Sequence, residues 1–585
     1  MIRLFLFVTL IIPLLSACTQ TASKSAEVEQ TFSETWKFRA GEGKDSLWMN
    51  PEYNDKGWTE VSSIRLLSEQ QQKTDNGFGW YRKNIVLSDS LKKAFQTSGA
   101  LVLHLGHLAA ADEVWMNGNF IGKTGDYPPN YTGYHDEARN YLVSGKFVNA
   151  DGENLIAIKF NEGWGVGGFL KHAQLTVASA GINDKLFLDV VPDDSDYVFL
   201  TPKPIRIKIN LKNLNKKKVP GKLYVKVTTD AYVPVRIDSI DISIKGLDSF
   251  SKTFTLAEAK PGFYRYDVKF VRKGETACEK KLNVGFDPEK ITSPVDAKAD
   301  FKPFWENSLK ELKKVAPRYK LTLVPEYSKL DYNVYLVDMY SLNNEPIKGY
   351  YARPKRKGKF PVIVEYMGYG SSPYPPNQTW DGFAYFVLSI RGQALNLPKN
   401  HYGTWVTYGL NNKADYYYRG AYCDVVRALD FICTRPEVDS SRIAVRGGSQ
   451  GGALSFVAAA LDKRVKVAAP FIPFLSDFPD YFKIAPWPKS DFATYLQEHP
   501  NAKWNDIYEL LTYFDIKNLA QWIECPLYMG IGIQDNVCPP RINFAAYNQV
   551  KTEKHWMACP QCGHSVGKIY HEASMKFIKE KLNVE

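Results

Sequence analysis

Cysteine is scarce in this chain, with eight in 585 residues. Cys18 belongs to the leader region and the other seven cannot all pair, so the fold is no disulfide framework and rests on its hydrophobic cores. Metal-ligand spacing is missing too: Cys559-Pro560-Gln561-Cys562 stands without a second ligand pair, so no metal and no cofactor are expected. The formal charge of +11 is modest for this length, and basic residues do not interleave with aromatics in the manner of a nucleic-acid groove. The densest basic run, Lys216-Lys217-Lys218, follows Asn213-Leu214-Asn215 between strand-like stretches and reads as a solvated hairpin tip. Leu4–Leu15 is apolar but too short for a comfortable membrane span. Placed between Met1-Ile2-Arg3 and the small residues Ser16-Ala17, it has the layout of an export signal. Residues 19–30, rich in Ser, Thr, Ala and Glu, read as a flexible tether.

What is present divides the chain into three folded units behind that leader. Residues 28–180 are rich in Trp, Tyr, Gly and Asn, with short alternating runs and no good amphipathic helix, the pattern of an all-β sandwich. Trp48, Trp58, Trp80 and Trp115 are candidate aromatic platforms there, although a core tryptophan is the commoner case. Residues 186–286 alternate again, as in Ile205-Arg206-Ile207-Lys208-Ile209, and read as an immunoglobulin-sized sandwich acting as a spacer. Asp287 to Pro303 reads as a linker, Phe304-Trp305 opens a helix, and residues 296–585 form an α/β unit with a mostly parallel sheet.

In that last unit Gly447-Gly448-Ser449-Gln450-Gly451 fits the G-x-S-x-G nucleophile elbow. A chain of this length would show about 0.2 such matches by chance, so the surroundings decide. Arg442-Ile443-Ala444-Val445 before it is strand-like, and the Ala-rich run from Gly452 to Ala460 after it reads as a buried helix. The acid and base of such a hydrolase follow in chain order, on loops after later strands. Pro526 to Ile533 is a strand-like run ending at Asp535, and His555 to Cys559 is another, leading to His564. For Asp535 the plainer alternative is a turn cap ahead of Pro539-Pro540. His555 and His571 read as surface or packing residues. Two backbone N–H groups must meet an oxyanion. Gln450 follows the nucleophile, and Tyr369 lies in the turn after the strand Pro361–Tyr366, where a plain Gly-rich turn is the alternative.

Several segments together resemble carbohydrate esterase family seven, the acetyl xylan esterase and cephalosporin C deacetylase family. They include Tyr366-Met367-Gly368-Tyr369, Arg391-Gly392-Gln393, Tyr416 to Gly420 with Asp424 and Arg427, Arg446 to Gly452, Leu511 to Asp515, Asp535 to Pro540 and Gly563-His564. The resemblance covers roughly the last half of the chain. It implies Ser449 as nucleophile, His564 as base, Asp535 as the acid that orients it, Tyr369 and Gln450 as oxyanion donors, and Arg391-Gly392-Gln393 as a brace. It also implies that the aromatic segment Phe471 to Trp504 roofs the pocket. The chain departs from the family at Ala394, where Gly is usual, at Ser565, where Glu is usual, and in two cysteines flanking the triad loops. The front module resembles the jelly-roll sugar-binding module of glycoside hydrolase family two enzymes, through Gly79 to Lys83, Ala111 to Gly118 and Gly152 to Phe169. Leu15-Ser16-Ala17-Cys18 resembles the lipobox of bacterial lipoproteins, which implies lipidation of Cys18 and, with Thr19 after it, an outer membrane.

The expectation is therefore an exported, lipid-anchored serine esterase that removes acetyl groups from plant-type polysaccharides or oligosaccharides. Nucleic acid is not an expected partner, and the oligomeric state is open. A prolyl-type serine peptidase would share fold and triad but should carry acidic residues for a substrate amine, which the chain does not display. A glycan-binding protein with a dead hydrolase would show a broken triad. Cys538 lies three positions after Asp535 and Cys562 two before His564, so a disulfide between them is expected in an exported protein, a pairing with Cys559 or free thiols being the alternatives.

Overall fold

The computed structural model describes residues 28–584, apart from 44, 66, 109–110, 126, 128–137, 162–172, 178–182, 372–374 and 377–381. The export signal and Cys18 lie outside the described residues.

The first module consists of two antiparallel sheets. One runs Glu29–Thr31, Gln174–Val177, Ala100–His107, Ala138–Ser144, and the other Thr59–Ser62, Thr35–Ala40, Phe78–Val86, Glu153–Asn161, Ala111–Met116, Asn119–Thr124. Trp36, Tyr81, Leu101, Leu103, Val143, Ile156 and Ile158 form one core in it. Trp58, Trp80 and Trp115 are buried in a second cluster with Trp48 packed against it, and Trp80 stacks on Trp115 at 5.2 Å. Trp58, Trp80 and Trp115 are packing residues, while Trp48 is half-buried and carries the Arg39 guanidinium over its ring at 4.9 Å.

In the second module a three-stranded sheet (Leu186–Pro192, Ile205–Asn213, Asp248–Leu256) faces a five-stranded one built on Val219–Thr229, Gly262–Arg272 and Glu275–Phe286. The period of two decides the faces: Ile205, Ile207, Ile209 and Leu211 point inward while Arg206 and Lys208 face water. Each such buried side chain contributes roughly 1.5–3 kcal/mol. Lys216-Lys217-Lys218 is a loop crossing from one sheet to the other, because the strands on either side of it belong to different sheets; it is not a hairpin tip.

The C-terminal module has a nine-stranded sheet. Its first strands are antiparallel, and Ala384–Ser389, Phe360–Tyr366, Val438–Gly448, Val465–Phe471, Leu527–Gly532 and Lys554–Cys559 then lie side by side in parallel. Its first helix, Phe301–Lys314, starts three residues before Phe304, with Pro303 in the first turn where a missing N–H has no helical partner to lose. The stretch ahead of it is strapped down. Asn548 Nδ2 donates to the carbonyls of Pro288 (3.1 Å) and Ile291 (3.0 Å), Gln549 Nε2 to Ser293 (2.9 Å), and Asn518 Nδ2 to Asp296 Oδ1 (2.8 Å).

Candidate active site

Ligands of open α/β sheets bind beyond the carboxyl ends of the strands, and four loops meet there. The strand Val438–Gly448 turns sharply at Ser449 into the helix Gln450–Leu461. Ser449 has φ 57° and ψ −121°, a conformation that costs roughly 1–3 kcal/mol and persists only where neighbours enforce it. Its N–H donates to Phe471 O (3.1 Å), and its carbonyl accepts from Ala453 N and Phe474 N, both at 3.1 Å. Flanking glycines let the turn press on the next strand. A Cβ at Gly447 would come within 2.5 Å of Tyr366 O, and one at Gly451 within 2.0 Å of the same atom.

The acid loop follows Leu527–Gly532. Asp535 is fully buried; its Oδ1 accepts from the N–H groups of Val537 and Cys538 at 2.8 Å each, leaving Oδ2 to His564 Nδ1 at 2.8 Å. His564 lies in the loop after Lys554–Cys559, its side chain about one-third exposed. Asp535 and His564 are thus paired beside the elbow. Among the described residues no hydrogen bond joins Ser449 Oγ to His564, and Ser449 Oγ lies 4.0 Å from Cys538 Sγ. Such contacts are often loose in an unliganded hydrolase and tighten with substrate. Burial, reinforced by the charge of Asp535, pushes the Cys538 thiol well above its ordinary value. It therefore stays protonated and does not compete as a nucleophile.

The expected Cys538–Cys562 bridge is not formed. Cys562 is bonded to Cys559, and Cys538 is a free, buried thiol. The turn that bonds Cys538 N to Asp535 Oδ1 leaves its sulfur against Ser449 instead.

The residues expected as oxyanion donors, Tyr369 and Gln450, are held by side chains behind them. Among the described residues the N–H groups of Tyr369 and Gln450 have no protein partner. Gln393 and Gln450 form a reciprocal amide pair, Nε2 to Oε1 at 3.2 and 3.1 Å, and Gln393 Oε1 also accepts from Gly370 N at 3.1 Å. Tyr417 Oη accepts from Gln393 Nε2, and Tyr418 Oη donates to Gln450 Oε1, both at 2.9 Å. Gly392 takes φ +67° with Tyr402 packed where a Cβ would sit, and Arg391 grips Asp424 through its backbone N, Nε and Nη2 (2.6–3.0 Å). Ala394 sits at φ 48°, which costs an L-residue about 1 kcal/mol and which Gly would tolerate.

Tyr369 is ringed by aromatics: Trp405 at 4.9 Å, Trp487 at 5.2 Å and Phe474 at 6.4 Å between centroids. Phe474 and Trp487 come from the expected roof segment, which folds into the helices Phe478–Ile484, Lys489–Glu498 and Trp504–Leu511. Trp405 comes from the loop after Arg391-Gly392-Gln393 and had no signal in the sequence. Of the other histidines, His555 is exposed beside Glu553, whereas burial next to Arg446 depresses His571 to about 3.

The second module reaches this site. Asn283 N donates to Gln534 Oε1 (2.8 Å), Gln534 Nε2 donates to Asn283 O (3.1 Å) and to Pro560 O (2.7 Å), and Gln534 N donates to Cys562 O (2.9 Å). Gln534 thereby ties the acid loop, the base loop and the second sandwich together.

Residues 290–581 match the family model "Acetyl xylan esterase (AXE1)". The chain belongs to the acetyl xylan esterase family and is a carboxylic ester hydrolase. Residues 44–162 match the "Beta-galactosidase second all-beta domain" model. Acetyl esterase Axe7A of Xylanibacter ruminicola is 28% identical over 338 residues, spanning 55% of this chain and 75% of that protein. The acetyl xylan esterase structure from Paenibacillus sp. R4 is 33% identical over 50% of this chain and 98% of its own, with a TM-score of 0.47. Acetyl Xylan Esterase 1 from Thermoanaerobacterium sp. JW/SL YS485 is 28% identical over 50% of this chain and 97% of its own, at 0.46.

Proposed function

We propose that this esterase removes O-acetyl groups from xylan-type polysaccharides or their fragments, with Ser449, His564 and Asp535 as its triad. The observation that carries the reading is the buried Asp535 paired at 2.8 Å with His564, beside a serine held in a strained elbow. His564 takes the proton of Ser449 as its Oγ attacks the acetyl carbonyl. The oxyanion forms against the N–H groups of Gln450 and Tyr369. His564 then gives that proton to the departing sugar oxygen, which leaves as a hydroxyl, and a water attacks the acetyl-enzyme in a second cycle that frees acetate. The aromatic wall of Trp405, Phe474 and Trp487 around Tyr369 favours a short acyl group over a long one.

Ser449→Ala tests the assignment. It should lower kcat on an aryl acetate by roughly 10⁴–10⁶ with an unchanged melting temperature, and a variant that keeps a tenth of the activity would sink it. The leader and the sequence Leu15-Ser16-Ala17-Cys18 support an exported enzyme lipidated at Cys18 and held at an outer membrane. Mass spectrometry of the mature N-terminus decides that part: an unacylated terminus would refute it.

A further inference from the structure

A cleft of about 1700 Å³ opens where the three modules meet. The jelly roll contributes Phe120, Lys123 and Tyr127, the second sandwich its strands Leu186–Pro192 and Glu275–Phe286, and the hydrolase Gln534, Asn536 and residues 556–561. The hydrolase residues flank Asp535 and His564 without including either. An occupant would lie along the outside of the triad loops, next to the reacting centre and not in it.

Size, charge and shape narrow that occupant. Pockets for compact ligands measure roughly 300–1000 Å³, so this one suits a chain better than a single small molecule. Four acidic and four basic residues line it, a balance that gives no foothold to a polyanion. Phe120 is the exposed aromatic side chain of a lining that mixes polar and apolar groups. It is 50% exposed, and its ring rests edge-on against Trp115 at 5.8 Å, which itself stacks on the buried Trp80. An aromatic ring open to water beside hydrogen-bonding groups such as Glu113, Lys123 and Thr124 offers what a sugar needs: packing for its C–H face and partners for its hydroxyls.

We propose that the cleft is a subsite for the neutral glycan chain that carries the ester, with Phe120 as its platform. The proposal rests on the polysaccharide-esterase reading and adds a place where the polymer is held while one acetyl group reaches Ser449. The affinity gained there is local concentration of substrate, since a second contact on one chain makes the first effectively intramolecular.

Unacetylated xylohexaose is the probe, titrated calorimetrically into the full chain. Saturable binding is expected, weakened roughly ten-fold in Phe120→Ala, the scale of one lost aromatic contact, and preserved in Phe120→Tyr. On acetylated xylohexaose Phe120→Ala should raise KM by a similar factor and leave kcat, while the rate on an aryl acetate stays at the wild-type value. Absence of xylohexaose binding, or binding identical in Phe120→Ala, would overturn the proposal and leave the cleft to another occupant, such as a peptide paired with the edge strand Lys554–Cys559. An equal loss on the aryl acetate would overturn it too, by showing Phe120 to be a brace. If xylohexaose binds through Phe120 but no acetylated xylan releases acetate, the substrate reading fails and the glycan subsite stands.

Discussion

The two β-sandwiches read alike in sequence, yet they relate to the hydrolase in different ways. The jelly roll is joined to the second sandwich: Lys185 Nζ donates to Ser98 O, and Leu214 packs on Ala100 and Leu142. The second sandwich grips the active site. Besides the Asn283–Gln534 exchange, Asn283 Nδ2 donates to Ile533 O (3.3 Å), Arg265 Nη1 to Asn536 Oδ1 (3.2 Å), and Phe263 packs on Phe544 at 6.0 Å. Period-two alternation tells how a sandwich folds and says nothing about what its edges hold. The module that looks like a spacer is the one bonded to the acid loop.

Deleting one module at a time is the strongest way to break this comparison. A chain shortened to begin near Asn183 loses only the jelly roll and should keep its aryl acetate rate within roughly a factor of two. One shortened to begin near Asp287 also loses Asn283, Arg265 and Phe263. Its acid loop is then tethered from one side only, and kcat should fall by roughly 10²-fold, the usual effect of a misplacement near 1 Å. Steady-state kinetics of both chains decide the matter. If the two keep equal rates, the second sandwich is a spacer after all.

The contrast also shows where sequence reading stops. The elbow was legible because its chemistry is local: Gly447 and Gly451 are glycines because Tyr366 O lies where their side chains would be. Strand ends and chain order pointed to Asp535 and His564, which the fold brings together at 2.8 Å, and the family resemblance of Arg391-Gly392-Gln393 pointed to a brace. Asn283 was not legible. It lies 251 residues from Gln534, and two of its three contacts with the acid loop use backbone atoms, which any residue possesses. The Cys538–Cys562 expectation failed for a related reason. Offsets from the triad bring two loops together, but the direction of each side chain is set by turns such as the one Asp535 makes with Cys538 N. Trp405 likewise reaches Tyr369 from a loop whose path no periodicity foretells.

A single substitution sharpens the same comparison. Gln534→Ala removes the contacts with Asn283 N, Asn283 O and Pro560 O at once. It should lower kcat on an aryl acetate by roughly ten-fold, an intermediate loss because backbone bonds such as Ile533 N to Cys559 O still hold the loops. Gln534→Glu keeps the acceptor for Asn283 N and loses both donors, so it should not restore the rate. Wild-type kcat in Gln534→Ala would remove the positioning role.

The smallest effect is thermodynamic and concerns Asp230, on the second sandwich where it meets Arg541 of the hydrolase. Burial raises its carboxyl to about 6, against a weaker opposing pull from Arg541, and Oδ2 has no hydrogen-bond partner. Arg541 is already engaged with Asp480 at 2.9 Å. The fold therefore holds a proton on Asp230 that the unfolded chain releases near pH 3.8, and between these two values the folded state binds more protons. Stability contributed by this group is full below about 4 and is lost as pH rises through about 6. Above that, an ionised and incompletely paired carboxylate weakens the junction by at most about 3 kcal/mol. Asp230→Asn should accordingly stabilise the protein by roughly 1–3 kcal/mol at pH 7, and the advantage should shrink toward zero near pH 4. Urea unfolding of both proteins at the two pH values measures it. An advantage that stays constant with pH would show that Asp230 does not titrate in this window, and a destabilised variant at pH 7 would show that its attraction to Arg541 outweighs its burial.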